Sequence, residues 1–292
     1  MAALRLQSSV FDHQWYSRIG SALSAAGTEG FVSELKAALS LVLSLECVQF
    51  ALEREGEQPV LLYEEGIPEN THAGLIGRYF DFGYFLDPLC LAVQGGIAQG
   101  FYSMTEVAPD NFTKSEYYKR FYAANGVSED CYFVVDLDPA TKLTLCFFQG
   151  RSGSRFTTKE LDFLRAVEPL VRQMLLLHAR TKRIGERHGP VSDERAQQRH
   201  LVADHIKQAF DTFGSQTLSP RERHVAKLIL RGHSAKSASD ILRVSVETVR
   251  MHRRHLYAKL NINAQSELFA SFLDWLSTSE VSPNTPDNEA SK

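Results

Sequence analysis

LSPRERHVAKLILRGHSAKSASDILRVSVETVRMHRRHLYAKL, residues Leu218–Leu260, decides how the C-terminal part of the chain folds. In Ser219-Pro220-Arg221-Glu222 a hydroxyl stands at the N-cap, proline at the first helical position and glutamate three residues after the cap. Two otherwise unpaired amides thereby find acceptors, and a helix starts at Pro220. Val225, Leu228 and Ile229 fall on one face of it, and Gly232 can take the left-handed conformation that closes a helix. Ser234 caps a second helix to about Leu242; after the short Arg243-Val244 turn, Ser245 caps a third that runs through Leu260. Two helices joined by so short a turn make a helix-turn-helix, here spanning about residues 235–254.

At ~100° per residue the third helix sorts into three stripes. Val246, Val249, Leu256 and Leu260 form the face packed on the first two helices. Glu247, Arg250, Met251 and Arg254 point outward, and Thr248, His252, His255 and Lys259 line a third stripe of hydrogen-bond donors. Guanidinium groups one turn apart suit guanine edges in a major groove, while the donor stripe suits phosphates.

Leu218-Ser-Pro-Arg-Glu-Arg, Gly232-His-Ser-Ala-Lys, Val244-Ser-Val-Glu-Thr-Val-Arg-Met-His and Lys259-Leu260 resemble, without gaps, the DNA-binding domain of the LuxR family of bacterial transcription regulators, the GerE or NarL type. The resemblance implies a four-helix, all-α domain over 213–278. It also implies base contacts from Arg250, Met251 and Arg254, and phosphate contacts from Lys236, Thr248, His255 and Lys259. Ser237, Ala238 and Ser239 depart from the family's usual Glu-Ile-Ala, which predicts looser packing of the second helix. The last helix, about Ala264–Leu276, carries Leu268, Phe269, Phe272, Leu273, Trp275 and Leu276, more apolar surface than a small domain can cover, and the family uses this helix to self-associate.

At 292 residues the chain suits two domains. Its net charge of −3 hides an asymmetry, because residues 213–278 hold ten Lys/Arg against five Asp/Glu whereas residues 1–212 are acidic overall. A basic module on an acidic body fits a protein that touches DNA at one end. Cys47, Cys90, Cys131 and Cys146 lack Cys-x-x-Cys or histidine at metal spacing, so free buried thiols and no metal are expected. No charged-then-apolar leader and no apolar run approaching the ~20 residues of a membrane span occur, which predicts a cytoplasmic protein without membrane contact. No nucleophile-base arrangement and no glycine-rich phosphate loop after a strand is recognisable, so neither an enzyme nor a cofactor is expected.

Residues 12–24 and 31–45 read as helices. Val48, Phe50 and Leu52 alternate with polar neighbours as a strand, and Pro59–Tyr63 follows as a second. Residues 73–125 read as short helices; Cys131–Leu137 and Leu143–Gln149 flank an Asp138-Pro139 turn as a hairpin. Thr157-x-x-Glu160 opens a long helix that Pro169 should kink. An antiparallel sheet covered by helices is an α+β fold. Over about residues 12–180 it resembles PAS- and GAF-like sensor domains, including those of LuxR-family regulators. This places a ligand-sensing domain at 1–185, a linker and connecting helix at 186–212, and a disordered tail at 279–292.

Twelve of the thirty aromatic residues lie between Tyr79 and Tyr122, six of them tyrosines. Buried tyrosines need hydroxyl partners, so Tyr79, Tyr84, Tyr102, Tyr117, Tyr118 and Tyr122 suggest an apolar cavity with polar handles, with Tyr79, Tyr84, Asp87, Tyr102 and Tyr118 as the candidate ligand contacts. Asp81, Asp87, Glu116 and Asp130 could meet a cationic or hydroxylated ligand. Tyr79, Tyr84 and Asp87-Pro88 resemble part of the motif of acyl-homoserine-lactone receptors, but Leu75 stands where those receptors carry tryptophan. The reading is a transcription regulator controlled by a small molecule, with an operator duplex, a second copy of the chain and RNA polymerase as partners. An acyl-homoserine-lactone receptor and a constitutive DNA-binding dimer are the alternatives.

Overall fold

The computed structural model describes residues 13–186 and 189–278; the expected tail at 279–292 and the first twelve residues lie outside the described residues. Two helices, α1 (His13–Ser24) and α2 (Phe31–Leu39), precede strands β1 (Cys47–Arg54) and β2 (Val60–Glu65). A run of short helices follows, α3 (Glu69–His72), α4 (Arg78–Asp81) and α5 (Pro88–Gln94), then β3 (Gly100–Ser103) and α6 (Met104–Val107). The hairpin β4 (Glu129–Asp138) and β5 (Thr141–Gln149) leads into α7 (Thr158–Lys182) and α8 (Gly189–Thr212). The C-terminal helices are α9 (Pro220–Leu230), α10 (Ala235–Leu242), α11 (Val246–Leu260) and α12 (Gln265–Thr278). The five strands form one antiparallel sheet in the order β2-β1-β5-β4-β3.

Period-two alternation gives this sheet two different faces. Val48, Phe50, Leu52, Cys131, Phe133, Val135, Leu143, Leu145 and Phe147 point to one side, into an apolar core closed by α1, α2 and α7. Gln49, Glu53, Asp130, Tyr132, Thr144, Cys146 and Phe148 point to the other, beneath the short helices of residues 69–125. The polar residues that alternate along β1 therefore face a covered space.

Four details differ from the sequence reading, in which Ser115–Ala124, closed by Asn125-Gly126, is the clearest of the short helices of the middle. The second helix stops at Leu39 and continues only as turns. Gly100–Ser103, read as part of a helical middle, pairs with β4 as an edge strand. The stretch 189–200, read as linker, is already helical and belongs to α8. The expected helix at Ser115–Ala124 forms a π-turn over Tyr118–Tyr122 followed by a 3₁₀ turn, which Gly126 closes at φ 73°. All four cysteines are buried and unbonded to one another.

Candidate DNA-reading face and ligand cavity

Each helix of the reader starts at the cap its sequence supplies. Ser219 and Glu222 form the reciprocal box, with the Ser219 amide donating to Glu222 Oε2 at 2.7 Å. The Ser237 amide donates to Ser234 Oγ at 3.2 Å, and the Thr248 amide to Ser245 Oγ at 3.0 Å. Val249 and Leu256 of α11 are buried against α9 and α10, which turns the opposite side of the helix outward. Arg250, Met251 and Arg254 lie on that outer side, exposed. Arg250 is paired with Glu247 of its own face. Arg253, by contrast, lays its guanidinium 5.2 Å from the centre of the Tyr257 ring, along the margin of the packed face.

Among the expected phosphate contacts, Lys236 and His255 are exposed, while the Thr248 hydroxyl is hydrogen-bonded to Ser245 Oγ at 2.8 Å. Lys259 makes an ion pair of 2.8 Å with Glu222, which is only 3 % exposed, so it also staples the end of α11 to the start of α9. Burial works to raise the Glu222 pKa, but the Lys259 ammonium and the Ser219 amide and hydroxyl outweigh it and bring it down to about 2. A depressed carboxyl pKa stabilises the fold above its unfolded value of about 4.5 and loses that contribution as pH falls toward 2. Glu222→Gln is expected to destabilise the reader by about 1–2 kcal/mol at pH 7, with the difference from the parent shrinking between pH 4.5 and 2. Urea unfolding across that range reads it, and a pH-independent difference would contradict the assignment.

The cavity lies between the second face of the sheet and the short helices. Gln49, Glu53, Tyr79, Asp87, Tyr117, Phe121, Tyr122, Asp130, Tyr132, Thr144, Cys146 and Phe148 line it, with Leu89 and Val127. The space between them is about 490 Å³ including its mouth, yet it is a slit in which the centre of a water-sized sphere has only about 30 Å³ to move. Tyr122 donates to Asp130 Oδ2 at 2.7 Å, Tyr132 donates to the other oxygen of that carboxylate, and the Tyr79 hydroxyl meets Cys90 Sγ at 3.2 Å. Asp87 caps α5, accepting from the Leu89 amide at 2.7 Å.

Of the tyrosines and carboxylates singled out from sequence, Tyr79, Asp87, Tyr117, Tyr122 and Asp130 reach this cavity. Tyr84 is buried in the core behind it. Tyr102 sits on the edge strand and donates to the Ala98 carbonyl at 2.9 Å, away from the cavity. Tyr118 donates to the Ser128 carbonyl at 2.8 Å and stacks on Tyr122, so it backs the wall without lining it. Glu116 is paired with Lys119, and Asp81 faces a groove against α8 and α12. Gln49, Glu53, Thr144 and Cys146 were missed; their signal was the alternation of the strands, which does not say whether the second face is covered.

The reader does not hang free of the sensor domain. Phe210 on α8 packs between Phe85 of the sensor, 5.2 Å away, and Phe272 of α12, 5.4 Å away. Asp110 reaches the N-terminus of α10, accepting from the Ser234 amide at 3.0 Å and from its hydroxyl at 2.5 Å. Partial burial pushes the Asp110 pKa up, but these Ser234 donors hold the carboxyl below its usual range. Phe112 lies against Gly232, whose φ of +91° and distance of 3.1 Å from an added Cβ to the Phe112 Cα leave no room for a side chain. Ala238 and Ser239 are buried, and beside Ala238 a depression bounded by Ile229, Val249 and Arg253 also takes Asn111 of the sensor as a wall. The apolar face of α12, expected to lie open, is consumed within the chain: Leu268, Phe269, Phe272 and Leu276 are buried, Arg120 lies over Phe269 at 5.0 Å, and Trp275 donates to the Ala209 carbonyl at 3.0 Å.

Residues 216–272 match the family of bacterial regulatory proteins of the luxR type. A protein of Aeromonas salmonicida described as an HTH-type transcriptional regulator in the exeN 3′ region is 31 % identical over 199 residues, covering 67 % of this chain and 97 % of that one. The chain belongs to the LuxR family of bacterial regulatory proteins. An alignment of 199 residues cannot fit within the residues from 213 onward, so the likeness extends into the sensor half. The oxygen regulatory protein NreC of Staphylococcus epidermidis is 37 % identical over 65 residues, 22 % of this chain and 29 % of that one. For the N-terminal half, the ligand-binding domain of VqsR from Pseudomonas aeruginosa has the same fold, with a TM-score of 0.52 at 20 % identity over 58 % of this chain and 98 % of that one. The chain is thus a LuxR-type DNA-binding transcription regulator with an α+β domain of that fold ahead of its helix-turn-helix. No helix among the described residues is long and apolar enough to cross a membrane.

Proposed function

We propose that this LuxR-family chain is a cytoplasmic, ligand-responsive regulator in which a small molecule in the sheet-side cavity changes how α10 and α11 meet an operator. The observation that carries the reading is the unbroken contact from cavity to reader. Tyr117 and Tyr122 of the cavity wall pack on Phe112, with ring centres 5.9 and 5.4 Å apart. Phe112 presses on Gly232, and Asp110, two residues earlier, holds Ser234. A molecule that fits the slit better in one arrangement of these aromatics than another shifts the population of the docked reader, by as much as its affinities for the two differ. The docked form places a carboxylate at a helix N-terminus, a position that attracts phosphate, two residues before Lys236. Docking therefore competes with DNA.

On the operator, Arg250, Met251 and Arg254 read base edges while Lys236, Thr248, His255 and Lys259 meet phosphates, Lys259 leaving Glu222 to do so. Two chains bind a pseudo-palindrome with half-site centres ~10 bp or a multiple apart, and RNA polymerase reads the outcome. Because the buried face of α12 is already covered, association uses the flank where Leu201, 62 % exposed, adjoins Leu273. Sedimentation of the selected operator complex is expected to give two chains per duplex; one chain per duplex sinks the dimer.

Selection from a randomised duplex library tests the DNA half of this reading, and native mass spectrometry of freshly purified chain tests the sensing half. The expected results are an enriched two-fold motif and a mass increment from a co-purified small molecule. No motif would overturn the operator assignment, and an unliganded mass together with no thermal response to metabolites would overturn the sensor.

A further inference from the structure

Three carboxylic acids and no base line the cavity. Glu53 on β1, Asp87 at the cap of α5 and Asp130 on β4 all face it, and no Lys, Arg or His is among its lining residues. Lys142, opposite Glu53 on β5, turns instead to Asp136. Burial, helped by the charge of Asp87, pushes Glu53 up to about 8. Burial likewise pushes Asp130 up to about 7 against the opposing hydrogen bonds of Tyr132 and Tyr122. Both shifts have one cause, carboxyls buried together with no cationic side chain beside them.

Two further polar side chains face the same space. Gln49, 7 % exposed, lines the cavity from β1. Tyr117, also buried, lines it with its hydroxyl directed to the carboxyl of Asp87. Polar groups left open inside a protein cost free energy unless something binds them. The remaining wall is aromatic, and the faces of tyrosine and phenylalanine attract cations. Among the described residues no three acidic, histidine or cysteine groups converge closely enough to hold a metal ion, so the carboxyls are spaced for something larger.

We propose that this cavity binds a small organic molecule carrying at least one ammonium group, the carboxyls of Glu53, Asp87 and Asp130 taking its charge and N–H donors while the aromatic walls cover its hydrocarbon. This deepens, and rests on, the reading of the N-terminal domain as a sensor. A neutral polyol would use the hydroxyl acceptors but return nothing for burying three acids. An acyl-homoserine lactone brings no cation to them.

The test is thermal unfolding of the whole chain against titrated 1,4-diaminobutane and tyramine, each beside its hydroxyl twin, 1,4-butanediol and 4-(2-hydroxyethyl)phenol, with N-octanoyl-homoserine lactone as a third arm. An amine is expected to bind at least tenfold more tightly than its twin. Glu53→Gln and Asp130→Asn, made singly, should each bring that ratio close to one. If one variant fails to fold, the other and the wild-type ratio still decide. A wild-type ratio near one, or stabilisation by the lactone alone, overturns the ammonium assignment and leaves sensing intact. No response to any probe overturns the assignment too, and the co-purification experiment then decides the sensor reading separately.

Discussion

Phe210→Ala is expected to cost about 3–5 kcal/mol of stability and to let the reader unfold apart from the sensor. The ring is 2 % exposed and sits where three parts of the chain meet. Phe85 reaches it from the sensor and Phe272 from α12, both edge to face, while Arg231 of the α9 C-terminus lies 4.9 Å over its centre. Truncation therefore removes a large buried ring and opens a cavity at a junction that cannot collapse without moving a whole domain. Unfolding in urea, followed through Trp275 in a Trp15→Phe background and through far-ultraviolet dichroism, should show coincident transitions in the parent and separate ones in the variant. A loss below about 1 kcal/mol with transitions still coincident would mean that the junction is carried elsewhere.

The second large effect concerns two adjacent arginines that composition would treat alike. Arg254 lies ~40° from Arg250 around α11, on the exposed side, whereas Arg253 lies about 60° the other way. Arg253 also stacks on Tyr257, which fixes its side chain along the helix. Arg254→Ala is expected to weaken the cognate operator by ~1–3 kcal/mol and to relax preference at one base pair. Arg253→Ala should weaken all sequences about equally through lost phosphate attraction and packing. Affinities for the operator and its single-base variants at fixed salt separate the two, and a change of base preference in Arg253→Ala alone would mean the helix is rotated from this assignment.

The reader was legible because its signals are local. Ser219, Ser234 and Ser245 each announce a helix start, and the facing of α11 follows from helical rotation once that start is known. The sensor was legible at the level of elements but less so at the level of its cavity. Alternation along β1 separates Val48, Phe50 and Leu52 from Gln49 and Glu53, but period two cannot say which face water reaches. The tyrosine-rich segment showed the right neighbourhood, yet single positions there depend on turns that are neither α-helical nor extended. The π-turn at Tyr118–Tyr122 rotates side chains away from a 3.6-residue register, which puts Tyr122 into the cavity and Tyr118 behind it. The covering of α12 was invisible for a different reason: Phe210 and Arg120 reach it from far along the chain.

In the proposed function the sensor restrains the reader through the contact at Ser234. That restraint is tested most directly by the affinity of the whole chain for its selected operator at fixed salt, comparing the parent with Asp110→Ala and with Asp162→Ala, which removes the same charge from α7. Asp110→Ala is expected to bind about fivefold more tightly, corresponding to ~1 kcal/mol for a charged hydrogen bond at the surface, while Asp162→Ala binds as the parent does. Equal affinities for all three, or weaker binding by Asp110→Ala, would contradict the account.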